Sequence, residues 1–151
     1  VPSRPREPRM RKLMTQAGFA RARARLAAAE AEYAAIVGSN PEAAEAGDSS
    51  VWHDNFAFEE NQRQMHQWAR RVVELRRVLQ ESDLIEVPHV PTTVEIGTRV
   101  TVEDSDSGER RTYTIGSFDD GDPRADRIAY NAPLGRALLG AQAGDEREVE
   151  R

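Results

Sequence analysis

The chain has 151 residues, 31% of them charged, with a net charge of -5 and a mean hydropathy of -0.70, which suits a soluble chain of one domain or two small ones. It has no cysteine and only three scattered histidines, which excludes disulfides, thiolate zinc sites and His-rich metal clusters. No apolar run reaches a membrane span and the start lacks the apolar core of a signal peptide, so the expectation is a cytoplasmic protein.

The charge is unevenly placed. Residues 1–82 hold 13 basic and 11 acidic side chains, net +2, whereas 83–151 hold 8 and 15, net -7. Two parts that meet different surfaces are implied, with exposed acidic loops kept for solubility as the plainer alternative. Residues 1–12 contain three prolines and five basic residues with almost nothing apolar, and read as a basic tail without fixed structure.

Thr15 is a plausible helix N-cap, and from Phe19 apolar residues recur at Ala22, Leu26, Ala29, Tyr33 and Ile36, the three-four spacing of a helical seam. Arg21, Arg23 and Arg25 fall on the outer face. Gly38-Ser39-Asn40-Pro41 is expected to kink or interrupt this helix, since proline removes a backbone donor and restricts its predecessor. A second seam runs through Phe58, Met65, Val72 and Leu79, seven apart, with Trp68 and Leu75 between and Asn61 at an inner position that fixes register. Two antiparallel arms of about 28 residues would each reach roughly 42 Å. The segment 13–83 is therefore expected to be a coiled-coil hairpin with an acidic tip at 47–55.

Residues 84–91, with Pro88 and Pro91, read as a linker. From residue 92 a small β+α domain is expected. Val94, Ile96, Val100 and Val102 alternate with polar residues, Asp106-Ser107-Gly108 turns the chain, and Thr112 to Ile115 return as a second strand. Asp119 to Asp126 reads as an acidic loop, Arg127 to Tyr130 as a short strand, and Leu134 to Leu139 as a helix opened by Pro133 and stopped at Gly140. Glu146 to Arg151 reads as the start of a further strand.

Several of these residues carry a resemblance. Val100-Thr101-Val102-Glu103-Asp104, Ser107-Gly108-Glu109, and above all Asn131-Ala132-Pro133-Leu134-Gly135-Arg136-Ala137-Leu138-Leu139-Gly140 with Gly144-Asp145, resemble the signature of the Gre transcript-cleavage factors and their inhibitory homologues, roughly Ser-Pro-Ile/Leu-Ala/Gly-Arg-Ala-Leu-Ile/Leu-Gly. Gly18 at the hairpin start and Gly47-Asp48 at the tip also fit. The resemblance covers Met14 onward and implies an α+β protein: an N-terminal antiparallel helical hairpin, then an FKBP-like domain.

In that family the hairpin enters the secondary channel of bacterial RNA polymerase and the second domain docks on the channel rim, so Asn131, Ala132 and Pro133 are the implied rim-binding residues. The family tip reads Gly-Asp-x-x-Glu-Asn, and its two carboxylates help hold a magnesium ion that drives cleavage of backtracked RNA. Here Asp48 matches the first carboxylate and Asp54-Asn55 the second position, with Ser49, Ser50, Val51, Trp52 and His53 between them where the family has two residues. Mg²⁺ needs oxygens near 2.1 Å in an octahedral shell, and three extra residues disturb that placement. On a continuous helix, a separation of six residues leaves the two side chains about 120° apart.

For both acids the plainer alternative is helix capping. Trp52 and His53 add bulk to the tip, and Arg63, Arg70, Arg71, Arg76 and Arg77 give the second helix a basic side suited to RNA or an acidic wall, or to solvent alone.

The implied function is regulation of elongation by a chain that is not itself an enzyme, more in the manner of an inhibitor than of a cleavage stimulator. The implied partners are RNA polymerase and the 3′ end of nascent RNA, with no membrane. The chain is expected to be a cytoplasmic monomer with no cofactor of its own beyond Mg²⁺ shared with polymerase through Asp48 and Asp54. The family closes its sheet with a strand beyond Glu150, so a longer chain is expected. A prolyl isomerase is the rival by fold analogy alone, but Tyr113, Phe118 and Tyr130 are few aromatics for its pocket. A hairpin scaffold would explain the seam and leave the 131–140 signature unexplained.

Overall fold

The computed structural model describes residues 10–45 and 51–150, and for 40–45 and 51–55 the backbone only. The chain divides into two compact units: Ala22–Gln80, and the residues up to Arg21 together with those from Glu81 onward. The fold is α+β.

The first of these units is the helical hairpin. Helix α1 spans Gln16–Glu45 and helix α2 spans Val51–Gln80, 30 residues each. Thr15 caps α1 as its sequence position predicts: its Oγ1 accepts the Gly18 N–H at 3.1 Å and its carbonyl accepts that of Phe19 at 2.9 Å. The helices run antiparallel, because Arg76 reaches Glu30 at 3.1 Å while Asn61 reaches Ser39, also at 3.1 Å. Small residues make the seam tight: Ala22, Ala29 and Val72 are buried, and Leu26, Ile36, Met65, Trp68, Leu75 and Leu79 half-buried.

Two seam assignments are corrected. Tyr33 and Phe58 are 36% and 44% exposed, since a pair of helices alone has only one covered side. The expected interruption at Gly38 to Pro41 is also absent: α1 is continuous through it. Around that turn side chains attend the backbone, the Ile36 carbonyl accepting Ser39 Oγ–H at 2.8 Å and Asn61 Nδ2–H at 3.5 Å.

The β unit opens with an element that has no local sequence signal. Strand β1 (Lys12–Met14) pairs in parallel with β2 (Ser82–Leu84), Lys12 opposite Ser82 and Met14 opposite Leu84. Ion pairs between Lys12 and Glu81 at 2.6 Å and between Arg11 and Asp83 at 2.7 Å flank it. The main sheet has the order β3 (Arg99–Glu103), β4 (Arg110–Gly116), β5 (Arg127–Ala129), antiparallel and then parallel. The β3–β4 turn is built by Asp104, whose Oδ1 accepts the Asp106 N–H at 2.8 Å, and by Gly108 at φ +73°.

Helix α3 (Pro133–Leu138) has Pro133 at its first position and ends before Gly140 at φ +78°, as its sequence predicts. The core joins Ile96, Ile115 and Leu138, with Leu13, Ile85, Val94, Tyr130 and Leu134 packed around them. Val94 and Ile96 lie ahead of β3 and not within it, because Gly97 at φ +90° turns the chain between them and the strand. The segment 146–150 forms no strand.

Candidate functional site

Two places carry the candidate residues. At the tip, Asp48 lies outside the described residues. Trp52, His53, Asp54 and Asn55 belong to the helical backbone of α2, which begins at Val51, and their side chains lie outside the description. Asp54 therefore sits on a helix three residues past its first position, and Asp48 precedes that helix by three.

The second place is the turn into α3. Asn131 is half-buried, and both ends of its amide are engaged: Oδ1 accepts the Asp119 N–H at 2.9 Å, and Nδ2 donates to Asp119 Oδ1 at 2.7 Å. Its carbonyl accepts Arg136 Nε–H at 2.7 Å. Ala132 is the N-cap in extended conformation, and Pro133 is exposed. Gly135 explains how close α3 lies to β5: a Cβ there would stand 2.1 Å from the Ala129 carbonyl oxygen.

Beside this turn the structure places a group that the sequence reading missed. Asp120, in the supposedly solvated acidic loop, is 1% exposed. Its carboxylate accepts two parallel bonds from Arg21, Nε to Oδ1 at 2.8 Å and Nη2 to Oδ2 at 2.6 Å, and Arg127 Nη2 stands 3.5 Å from Oδ1. This hydrogen-bonded fork raises the Arg21 pKa above its usual value, so the guanidinium stays charged. Nearby, Thr15 N–H donates to Ser117 Oγ at 2.9 Å, and a Cβ on Gly18 would stand 2.0 Å from that oxygen. The first turns of α1 are thus seated directly on the loop after β4. An aspartate among aspartates gives no sign of burial, and Arg21 alternates with Arg23 and Arg25 along the sequence; its fork to Asp120 is visible only in three dimensions.

A family profile described as "Transcription elongation factor, GreA/GreB, C-term" matches residues 88–151, which contain β3, β4, β5, α3 and the 131–133 turn. The transcription elongation factor GreA of Rhodospirillum rubrum is 33% identical over 139 residues, covering 91% of this chain and 87% of that protein. This chain belongs to the GreA/GreB family of transcription elongation factors. The GreA of Hyphomonas neptunium is likewise 33% identical, over 138 residues and 86% of its length, and that of Desulfovibrio desulfuricans is 49% identical over a 57-residue stretch. Among solved structures, GreA factor homolog 1 of Thermus thermophilus aligns with a TM-score of 0.47 at 22% identity, over 93% of this chain and 90% of its own.

Within this GreA/GreB chain the basic side of α2 is partly neutralised by neighbours. Arg63 pairs with Glu60, Arg71 with Glu74 at 3.5 Å, and Arg76 with Glu30 at 3.1 Å, while Arg70 and Arg77 are exposed. Among the described residues no group of three His, Asp or Glu side chains could hold a metal ion, and no helix is long and apolar enough to cross a membrane. A groove of about 470 Å³ in the β unit is open and lined by residues including Leu13, Ile85, Val94, Ile96 and Leu139, with no aromatic ring in its lining; Phe118 and Tyr130 pack instead on each other, centroids 6.5 Å apart. That lining gives no support to an isomerase pocket.

Proposed function

We propose that this GreA/GreB chain binds bacterial RNA polymerase, places its hairpin tip in the secondary channel, and slows nucleotide addition without stimulating transcript cleavage. The catalytic centre is the polymerase's own. The turn at Asn131, Ala132 and Pro133 docks on the channel rim, and the tip residues Asp48, Trp52, His53, Asp54 and Asn55 face the active centre and the RNA 3′ end.

The observation that carries the inhibitory reading is where α2 begins. With Val51 as its first residue, Asp54 rides on a helix and Asp48 precedes it. Five residues separate the acids, and Asp54 is a methylene shorter than the family's glutamate. A carboxylate pair so spaced brings negative charge to the Mg²⁺ or the incoming triphosphate without the octahedral placement that in-line attack by water requires. Charge without that geometry favours blockade.

The test is a pair of rates on stalled and backtracked elongation complexes. The protein should slow nucleotide addition and leave release of short 3′ RNA fragments at its spontaneous rate. Asp48→Ala and Asp54→Ala should relieve the slowing if charge causes it, and Trp52→Ala if bulk does. Rapid fragment release, lost on Asp48→Ala, would make the chain a cleavage stimulator instead.

A further inference from the structure

We infer that Asn131 serves docking as a positioning residue, acting through Asp119, and that the Asp119-Asp120 pair couples the 131–133 turn to the first turns of α1. The inference rests on the reading that this turn meets polymerase, and it changes how the turn does so.

Four observations lead to it. The Asn131 amide is committed at both ends to one residue, accepting from the Asp119 N–H and donating to the Asp119 carboxylate. These two bonds fix how the amide plane is turned, so the orientation of Asn131 follows Asp119. Asp119 has φ +50°, a left-handed conformation that a non-glycine residue keeps only when its surroundings hold it. Asn131 holds it from the α3 side. From the other side it is held by its neighbour, since Asp120 is buried, forked by Arg21, and anchored through its carbonyl by Arg127 Nε at 2.8 Å. Finally, the loop lies flat on β4: a Cβ on Gly116 would stand 2.7 Å from the Asp120 carbonyl oxygen, so the backbone has no room to shift toward the sheet.

Adjacent residues thus point opposite ways. Asp119 reaches out to the α3 turn and Asp120 reaches in to Arg21 on α1. Moving the turn moves Asp119, and Asp119 cannot rotate about its strained backbone without disturbing the Asp120 fork. The groups that the turn leaves exposed to a partner are the Pro133 ring and the Arg136 side chain, whose Nε is fixed by the Asn131 carbonyl.

The test is a double-mutant cycle on polymerase affinity with Asp119→Ala and Asn131→Ala. Each should weaken binding about tenfold, as loss of a charge-assisted hydrogen bond does, and the double variant should be no weaker than the weaker single. Asp119→Asn keeps the acceptor and should bind nearly as the parent does. If the two losses multiply, or if Asp119→Asn loses as much as Asp119→Ala, the residues touch polymerase directly and the inference is wrong.

A second readout needs no polymerase. In the free protein, Asn131→Ala, with Asn131→Ser as the milder variant, should speed hydrogen exchange at the Asp119 amide and shift the Arg21 Nε–H resonance. An unmoved Arg21 signal overturns the coupling. Failure of the parent protein to bind polymerase would remove the docking reading, while this exchange measurement still decides whether the junction exists.

Discussion

Asp120 shows how one side chain can be decisive and yet invisible in the sequence. A carboxylate with 1% of its surface exposed is tolerable only because Arg21 grips both oxygens and Arg127 stands behind. Arg21→Met should cost about 2 kcal/mol of unfolding free energy, below the usual loss for a broken buried pair because Arg127 remains and Arg21 is itself partly hydrated. Urea denaturation checks this, and an unchanged midpoint would show the fork to be dispensable. Gly135 is the complementary case. Its Cβ would collide with the Ala129 carbonyl, so Gly135→Ala should displace α3 and cost about 2–3 kcal/mol, read as a lowered melting temperature. The sequence displayed this glycine within its signature, but the reason for it, a helix pressed on a strand's backbone, is visible only in three dimensions.

At the level of elements, what was legible depended on range. The Thr15 cap, the helical seams apart from Tyr33 and Phe58, the Asp106-Ser107-Gly108 turn and the helix opened by Pro133 and stopped at Gly140 are encoded within a few residues of themselves. The β1–β2 pair joins segments about 70 residues apart with three residues a side, too short for any periodicity. At Pro41 a rule about local donors predicts a kink or an interruption, and there is no interruption: helical backbone continues on both sides of it.

Asn61 belongs to this scale. Its Nδ2 serves the Ser39 hydroxyl, while its buried Oδ1 has no hydrogen-bond partner among the described residues. Such a residue lowers the stability of the seam and fixes how the helices register. Asn61→Leu should therefore raise the unfolding free energy by about 1 kcal/mol while loosening the pairing, seen as new slow-exchange heterogeneity in α1 amide signals. A destabilised variant would mean that the Ser39 bond outweighs the unpaired oxygen.

For the molecule as a whole, membership of the GreA/GreB family rests on identity that extends through both the hairpin and the β unit, and the acidic 83–151 half lies mostly within the matched C-terminal region. At the tip, Asp54 lies on α2, which begins at Val51, and the inhibitory reading we propose rests on its spacing from Asp48. Occupation of the polymerase secondary channel is what we propose for this chain, and competition tests it most directly. Labelled Rhodospirillum rubrum GreA bound to core RNA polymerase should be displaced by increasing amounts of this chain at one-to-one stoichiometry, equally by the parent and by Asp48→Ala. Simultaneous binding of both proteins, or no displacement at any concentration, would contradict it.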